Sequence, residues 1–532
     1  MILFLLATWI YLPRLANARL VVPGDSLVVL YGSGQPNPVS VRLEGRFVQY
    51  DLGPMTGTPL DTLWRAIFAL PAMIEPGIYN IILSTPEGAD TQPNALMVYP
   101  AWRDTVVFLQ FSDIHIGNTA QELLRFQQAV IEANTIYPDF IVITGDIVEA
   151  GEIAGSPTWY GQFLAAAENL MVPVFTVNGN HDYSPATRMT NYPALINPEL
   201  NYLFTYSDWL LMLCLDTGPI DPDSSNARCW GLSREQIAWA DSVLDAHPGF
   251  TQKLAMMHGP LIDYDGSDRS NTHGRDEFIG LSLSHGLSLI LHGHTHHNRF
   301  FLSDSTWVQG DVPVYPATPY FLQELSTCKN SKDTMGYKRI ELSRDTVISF
   351  LEDQDRSGLP DGLGSLLLWN LRVDYAYNLD STNCVVAIDN NSPRTFYGGR
   401  VWPTMNPAYE YEVLGPARII RMAPGGFMEV AVDSIPSDDT TIIYIFPRVS
   451  VPEDKREVPG LQFTGKTLRA FPGRGTSARL SVYDATGRLI SVLKEGPWEG
   501  PREFGLGFLK PGAYVAIMDA GNFGQRLVFV RR

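Results

Sequence analysis

The sequence is poor in positive charge, in cysteine and in long apolar runs. Its 39 lysine and arginine residues are outnumbered by 57 aspartate and glutamate residues, for a net charge of -18. A diffuse positive surface for a phosphate backbone is therefore not expected, and we predict no stable binding of nucleic acid. The four cysteines lack the close spacing of a zinc-thiolate site. The cysteines are Cys214, Cys229, Cys328 and Cys384. They could form up to two disulfides, with Cys214 and Cys229 the closest pair in sequence, or they could stay free and buried.

Residues 1–18 combine a short apolar run with Ala16-Asn17-Ala18, a pattern typical of a signal-peptide cleavage site. The run is too short to span a bilayer securely, and no other stretch approaches the ~18 uninterrupted apolar residues of a membrane helix. We therefore expect a signal peptide over residues 1–18 and no transmembrane segment after processing. The alternative is an N-terminal strand or helix buried against the body of the protein.

The length of 532 residues exceeds the usual domain size of roughly 100 to 200 residues, so several domains are expected. Residues 19–102 contain short apolar runs separated by proline and glycine, which predicts an immunoglobulin-like β-sandwich. Residues 103–353 alternate strands with helices, which predicts an α/β domain with its helices on the outside of a layered sandwich. A second β-sandwich is predicted over residues 364–450 and a linker over residues 451–463.

Polar residues follow the apolar strands of the α/β region at the points where the strands end. Ligands of open α/β sheets gather outside the carboxyl ends of the strands, so these side chains are expected to converge. Two carboxylates, one amide and four imidazoles are too many for one tetrahedral site, and they suit first-row metals better than calcium. Two metal ions are therefore expected. The residues are Asp113, His115, Asp146, Asn180, His258, His294 and His296.

The order of these residues resembles the calcineurin-like metallophosphoesterase family, whose blocks are D-x-H, G-D, G-N-H-D/E, H and G-H-x-H. The chain matches all five in order, with Asp113–His115, Gly145-Asp146, Gly179–Asp182, His258 and Gly293–His296. The resemblance covers about residues 105–300. It implies a four-layer α/β/β/α sandwich, flanked here by all-β immunoglobulin-like sandwich domains.

The resemblance also implies the role of each residue. The first metal ion would be held by Asp113, His115 and His296 and the second by Asn180, His258 and His294, with Asp146 bridging both. The ions would be divalent or trivalent, such as manganese, iron or zinc, and a hydroxide that bridges them would attack the phosphoester. His181 would protonate the leaving oxygen, and Asp182 would orient His181, with a structural cap as the alternative for Asp182. Glu149 stands where the purple acid phosphatase branch has a tyrosine ligand, which disfavours that branch.

Residues 464–532 resemble the C-terminal sorting domain of type IX secretion substrates. The features that carry the resemblance are the turn Tyr483–Arg488, the strand start Pro511–Tyr514 and the basic last strand ending at Arg532. Together with the signal peptide, the resemblance predicts a bacterial protein that is exported through the periplasm. Its destination would be the cell surface or the extracellular space, and the secretion machinery would be a partner.

These features predict a secreted dinuclear metal-dependent phosphoesterase that acts on a small phosphodiester or monoester, nucleotide-type substrates included. The alternative is an extracellular binding or adhesion protein in which the β-sandwiches carry the function and the phosphoesterase domain is a scaffold. The complete set of metal positions favours the enzyme. A nuclease that acts on polymeric DNA or RNA is disfavoured by the negative net charge.

Overall fold

The computed structural model describes residues 8–33, 38–186, 188–219, 230–262, 273–302, 320–323, 326–329, 335–345, 365–448, 460–463, 467–471, 477–484, 489–497, 502–510, 512–519 and 524–531. The chain divides into two compact units. The first unit comprises Met1–Tyr375, Val386–Pro407 and Pro416–Ile442, and the second comprises Ala376–Val385, Ala408–Gly415 and Ile443–Arg532. The predicted domain limits at residues 353, 364 and 451 lie outside the described residues.

The N-terminal region consists of two β-sheets with a shared apolar core. Their strand orders are β1-β3-β7-β6 and β2-β9-β8-β4-β5. Burial alternates along the fourth strand, since Val39, Val41 and Leu43 are buried between more exposed neighbours, as expected for one core-facing side of a sheet. The strands are β1 Trp9–Leu12, β2 Arg19–Val21, β3 Ser26–Gly32, β4 Val39–Gly45, β5 Gln49–Met55, β6 Thr58–Leu60, β7 Leu63–Ala69, β8 Gly77–Thr85 and β9 Gly88–Val98.

The described part of the predicted signal peptide is packed into the fold. Strand β1 pairs antiparallel with β3, and Ile10, Leu15 and Ala16 are buried. The carbonyl of Ala16 accepts a hydrogen bond from the backbone N–H of Thr176, which lies in the α/β region. This packing is what the alternative interpretation of the segment predicts, a strand buried against the body. Cleavage after Ala18 stays a prediction.

The α/β region contains two mixed sheets, with strand orders β12-β11-β10-β19-β20 and β13-β14-β15-β16-β18-β17. Strands β10, β11 and β12 are parallel, and so are β14, β15, β16 and β18. The elements are β10 Thr105–Phe111, α1 Gln121–Ile136, β11 Phe140–Thr144, α2 Ser156–Ala167, β12 Val174–Val177, α3 Asn180–Tyr183, α4 Asn191–Leu195, β13 Tyr202–Tyr206, β14 Leu210–Cys214, α5 Arg234–Ala246, β15 Gln252–Met256, α6 Arg275–His285, β16 Leu289–His292, β17 Arg299–Phe301, β18 Tyr320–Gln323, β19 Gly336–Ser343 and β20 Ser365–Leu367.

The two sheets pack face to face, because one apolar cluster takes residues from both. It joins Phe108 and Phe140 of the first sheet to Met212, Leu254 and Leu289 of the second. A separate cluster places α5 and α6 on the other face of the second sheet, through residues that include Leu244 and Phe278. Helices α1 and α2 connect the parallel strands β10, β11 and β12, as a crossover connection requires. This region is therefore a mixed α/β fold with the two sheets at its centre.

Within the described residues, seven strands follow the α/β region, and seven more lie after residue 459. Residues 460–463, at the end of the predicted linker, form strand β28, which pairs antiparallel with β29. The first seven are β21 Leu371–Tyr377, β22 Cys384–Asn390, β23 Phe396–Val401, β24 Tyr411–Leu414, β25 Ala417–Met422, β26 Met428–Ile435 and β27 Asp439–Pro447. The last seven are β28 Gly460–Phe463, β29 Thr467–Phe471, β30 Ser477–Asp484, β31 Leu489–Pro497, β32 Arg502–Gly505, β33 Gly512–Asp519 and β34 Gly524–Arg531.

Three of the four cysteines are free and buried: Cys214, Cys328 and Cys384. The sequence left open whether Cys214 pairs with Cys229 or stays free, and in the structure Cys214 is a free cysteine inside strand β14. Cys229 itself lies outside the described residues. No helix within the described ranges is both long enough and apolar enough to cross a membrane.

Candidate active site

All seven predicted metal ligands lie just beyond strands of the two sheets. The parallel strands β10, β11, β12, β15 and β16 direct their carboxyl ends toward one place, so residues far apart in sequence meet there. The residues that follow β10 are Asp113 and His115, Asp146 follows β11, Asn180 follows β12, His258 follows β15, and His294 and His296 follow β16. Four of these residues are almost completely buried, namely Asp113, His115, Asp146 and His258. The other three, Asn180, His294 and His296, are partly exposed.

Asp113, His115 and His296 form one group of donor atoms. The Asp113 Oδ1 atom lies 3.0 Å from His296 Nε2 and 3.7 Å from His115 Nε2. These donors are close enough together to hold one metal ion. They are the three residues predicted for the first metal.

Asn180, His258 and His294 form a second group. The Asn180 Oδ1 atom lies 3.0 Å from His258 Nε2 and 2.7 Å from His294 Nδ1. The other ring nitrogen of His258, Nδ1, donates to the carbonyl of Thr144 at 2.7 Å, which leaves Nε2 facing the site. The three residues predicted for the second metal therefore also converge.

Asp146 lies between the two groups. Its Oδ2 atom is 3.4 Å from His115 Nε2, in the first group, and 3.2 Å from His258 Nε2, in the second. The Oδ1 atom accepts a hydrogen bond from the backbone N–H of His181 at 2.8 Å. One carboxylate oxygen thus faces imidazoles from both groups, which is the position that a bridging ligand would take.

The chemistry of the donor set fits metal ions. His115 Nε2 is a buried nitrogen for which the described residues provide no hydrogen-bond partner, and it points at two carboxylates. Burial opposes the charged form of His115 and His258, but the carboxylates outweigh burial and raise the pKa of each imidazole to about 9. Burial likewise opposes ionisation of Asp113, yet the imidazoles hold its pKa well below its usual range. A site with these preferences favours added positive charge, which a cation supplies.

The backbone of five of these residues is left-handed. The φ angles are 52° at Asp113, 55° at His115, 53° at Asp146, 71° at His294 and 57° at His296. Non-glycine residues seldom adopt positive φ, although Asp and His do so more readily than most, and such conformations cluster at functional sites. The strand ends therefore turn sharply in order to direct these side chains into the site.

The glycines of the motifs are required by close packing around the ligands. A Cβ atom on Gly145 would lie 2.6 Å from His258 Nδ1, and one on Gly293 would lie 2.8 Å from Asp113 Oδ2. A Cβ atom on Gly179 would overlap Asp146 Oδ1. The backbone of Gly179 is extended, with φ −120° and ψ −175°, so this residue is required for space and not for a tight turn.

His181 lies beside the ligand cluster. Its ring contacts that of His115 edge to face at a centroid distance of 4.5 Å, and its Nδ1 donates to the carbonyl of Glu149 at 2.6 Å. The side chain is 29% exposed, so one side of the ring is open to solvent. This is a suitable position for a group that would protonate a leaving oxygen.

Asp182 does not have the predicted role of orienting His181. Its Oδ2 atom accepts the backbone N–H of Gly179 at 2.8 Å, and its Oδ1 atom accepts the hydroxyl of Tyr160 at 2.9 Å. Helix α3 begins at Asn180, so consecutive side chains point in different directions and Asp182 turns into the core. Burial raises the pKa of Asp182 to about 7, and the nearby Asp146 charge adds to the shift. Asp182 is therefore a structural cap, the alternative interpretation.

Two residues beside the site were not predicted as part of it. The Glu149 Oε2 atom lies 2.8 Å from His115 Nδ1, and the Lys329 ammonium lies 3.0 Å from the same oxygen. Burial opposes ionisation of Glu149, but His115 and Lys329 outweigh burial and lower its pKa to about 2. The position of Glu149, three residues after Asp146, was a signal in the sequence. Lys329 lies after the last motif, and the sequence contained no signal that would place it beside the site.

Residues 106–298 match the profile of the calcineurin-like phosphoesterase family. This segment is therefore a calcineurin-like phosphoesterase domain, as the motif blocks predict, and the protein is a metal-dependent phosphoric ester hydrolase. The chain is similar to the 3',5'-cyclic adenosine monophosphate phosphodiesterase CpdA of Haemophilus influenzae, with 26% identity over 270 residues, 47% of this chain and 90% of the relative. The enzyme of the same name from Escherichia coli K12 is 25% identical over 259 residues, 46% of this chain and 88% of the relative.

Among solved structures, the chain is similar to the purple acid phosphatase PPD1 from yellow lupin seeds. The identity is 12% and the TM-score is 0.39, with 69% of this chain and 70% of that chain covered. A likeness at this score supports no conclusion about the branch of the family. The replacement of the tyrosine by Glu149 stays the only observation that bears on that prediction.

Proposed function

We propose that the protein is a dinuclear metal-dependent phosphodiesterase that acts on small, nucleotide-type phosphoesters. The observation that carries the dinuclear site is the position of Asp146 Oδ2, which faces His115 of one donor group and His258 of the other. A carboxylate shared by two ions would let both ions act on one phosphoryl group in an in-line displacement. The named activity of the relatives, hydrolysis of 3',5'-cyclic adenosine monophosphate, favours a cyclic nucleotide as substrate.

When bound, the metal ions would activate water and neutralise the phosphoryl oxygens. The protein itself supplies orientation and a proton. Thr144 fixes the ring of His258 through its carbonyl, and Glu149 fixes the ring of His181 in the same way. Because its Nδ1 is engaged, His181 has Nε2 available to donate a proton to the leaving oxygen.

Export, the sorting role of residues 464–532 and the immunoglobulin-like character of the flanking sheets are also proposals. Support for export comes from Ala16-Asn17-Ala18 and the C-terminal pattern. The burial of Ile10, Leu15 and Ala16 weighs against cleavage after Ala18, because the mature protein would lose these contacts. Mass spectrometry of both termini of the protein from its native host decides the matter. An intact chain from residue 1 to residue 532 would rule out processing.

Metal-reconstituted hydrolysis of an ester panel tests the function. The panel contains 3',5'-cyclic adenosine monophosphate, bis(4-nitrophenyl) phosphate and 4-nitrophenyl phosphate, each with manganese. We expect the diesters to be hydrolysed faster than the monoester, and Asp146→Asn to lower kcat/KM on the order of 10³-fold through the loss of the shared ligand. Asp241→Asn, which changes an exposed carboxylate on α5, is the matched control.

One outcome of this assay would refute the proposed enzymatic activity. If the wild-type protein binds manganese but hydrolyses none of the esters faster than Asp146→Asn does, the phosphoesterase activity is absent. Hydrolysis of the monoester alone would refute the diester preference while leaving the reaction class in place.

A further inference from the structure

An ion pair outside the ligand set supports the first donor group. Glu149 Oε2 lies 2.8 Å from His115 Nδ1, the ring nitrogen that faces away from Asp113 and Asp146. Lys329 Nζ lies 3.0 Å from the same oxygen and 3.4 Å from His115 Nδ1. A carboxylate that accepts the Nδ1 proton of a ligand histidine fixes the ring and leaves Nε2 for the metal.

The segment that carries Lys329 is held directly on the strand end that carries Asp113. Thr327 exchanges two hydrogen bonds with the backbone of Ser112: its N–H donates to the carbonyl at 2.8 Å, and its hydroxyl accepts the N–H at 3.0 Å. The hydroxyl of Ser326 donates to the carbonyl of Asp113 at 2.8 Å and accepts the N–H of Lys329 at 2.8 Å. Lys329 is thus positioned by the same backbone that positions a metal ligand.

The ammonium of Lys329 lies where the surrounding side chains favour a cation. His115, Glu149 and His181 present ring nitrogens and a carboxylate oxygen close enough together to hold an ion. The ammonium already lies against two of these three residues, His115 and Glu149. The Glu149 side chain is 27% exposed, and the other groups paired with its carboxylate are the imidazoles of His115 and His181.

We propose that Glu149 and Lys329 are positioning residues that act in series, with Lys329 holding Glu149 and Glu149 holding His115 in the orientation that binds the first metal. The inference rests on the proposed function only in taking His115 as a metal ligand. Neither residue is required to touch the substrate.

Manganese titration of the full chain, followed by the electron paramagnetic resonance signal of free Mn²⁺, tests the pair. We expect Glu149→Gln to weaken one of two bound manganese ions by about 10- to 100-fold. Lys329→Met should weaken the same ion by a smaller factor, and Lys329→Arg should stay close to the wild type. Because the two residues act in series, the double variant should match Glu149→Gln.

Glu341→Gln is the control, since it breaks another ion pair of this domain, with Arg339, on strand β19 away from the site. A Glu149→Gln protein that keeps its thermal unfolding midpoint and binds both ions like the wild type would overturn the proposal. A double variant with the product of the two single losses would show that Lys329 acts independently, which also contradicts it. If metal binding responds as expected while no ester is hydrolysed, the pair stands and the proposed function fails.

Discussion

Among the buried carboxylates of the phosphoesterase domain, those at the strand ends and the one on α1 have surroundings of opposite kinds. At the strand ends, Asp113 and Asp146 face imidazoles, which outweigh the effect of burial and lower the pKa of both carboxyls. On α1, Glu132 is fully buried among neutral donors that include the hydroxyl of Tyr337 at 2.6 Å and the backbone N–H of Trp369 at 2.7 Å. There the hydrogen bonds lower the pKa of Glu132, but the effect of burial is larger and raises it to about 7.

The difference shows that a buried acid is not by itself a sign of a catalytic site. Desolvation acts on both clusters in the same direction, so the charge of the neighbours decides the outcome. The strand-end acids are kept ionised and suit a cation. Glu132 instead joins α1 to β19 and to the chain that follows β20, which is a structural task. Substitutions in the two clusters should therefore change different observables.

The largest effect is expected when the space between the strand-end groups is filled. In Gly293→Ala the new methyl would overlap Ser112 Oγ and lie 2.8 Å from Asp113 Oδ2, so Asp113 must move. Misplacement of a reacting group by about 1 Å costs on the order of 10²-fold, and weaker metal binding adds to this loss. We expect kcat/KM on the diester to fall on the order of 10³-fold, with a parallel loss of manganese affinity.

Gly280→Ala is the matched control for that substitution. Gly280 lies within α6, and nothing lies within 4 Å of an added Cβ atom there. Alanine should stabilise the helix by up to about 1 kcal/mol and leave activity unchanged. Equal activity in Gly293→Ala and Gly280→Ala would contradict the close packing of the strand-end cluster.

The convergence of the seven predicted ligands could be anticipated because each residue follows an apolar strand and the strands run parallel within each of the two sheets. Strand β11, for example, is Phe140–Thr144 with every residue buried, and Asp146 follows after one glycine. The helix predicted from the Thr119 and Glu122 pattern is also present as α1, and Glu122 accepts the N–H of Thr119 at 2.7 Å. Local periodicity and strand-end chemistry are sufficient for these features.

The remaining features depend on contacts that the local pattern does not contain. Asp182 adjoins His181 in sequence, but the helical start of α3 turns its carboxylate into the core toward Tyr160. Lys329 reaches Glu149 only after the chain has crossed the second sheet. The small residues Ala16 and Ala18 fit a signal-peptide cleavage site and a segment buried against the body of the protein equally well. The sequence alone therefore did not distinguish a cleaved signal peptide from a buried N-terminal strand.

A smaller effect on activity is expected at His181, which separates proton transfer from metal binding. In His181→Ala the backbone N–H still donates to Asp146 Oδ1, since that bond does not involve the side chain. Loss of the imidazole should lower kcat by about 10²-fold, as for a general acid, with manganese affinity within a factor of about two of the wild type. A variant that loses manganese instead would show that the ring supports the ligand cluster and is not the proton donor.

The smallest effect is expected at Glu132, where only stability should respond. The folded-state pKa of about 7 is above the usual 4.5, so the folded protein binds the extra proton between these values. The stability contributed by this group is therefore complete below about pH 4.5 and falls as the pH rises toward 7 and beyond. Glu132→Gln keeps a neutral group at the position and should remove this loss, which is on the order of 1–3 kcal/mol.

Thermal unfolding of the wild type and of Glu132→Gln at pH 5 and pH 8 measures this pH-dependent loss of stability. The midpoint of the variant relative to the wild type should rise by a few degrees between the two values, while kcat at pH 8 stays unchanged. Because Glu132 contacts Gln128, Tyr337 and Trp369 and none of the strand-end ligands, a changed kcat would contradict the separation of the two clusters. A difference in midpoint that does not depend on pH would mean that Glu132 is ionised in the folded protein at pH 5, and hence that its neighbours stabilise charge as those of Asp113 do.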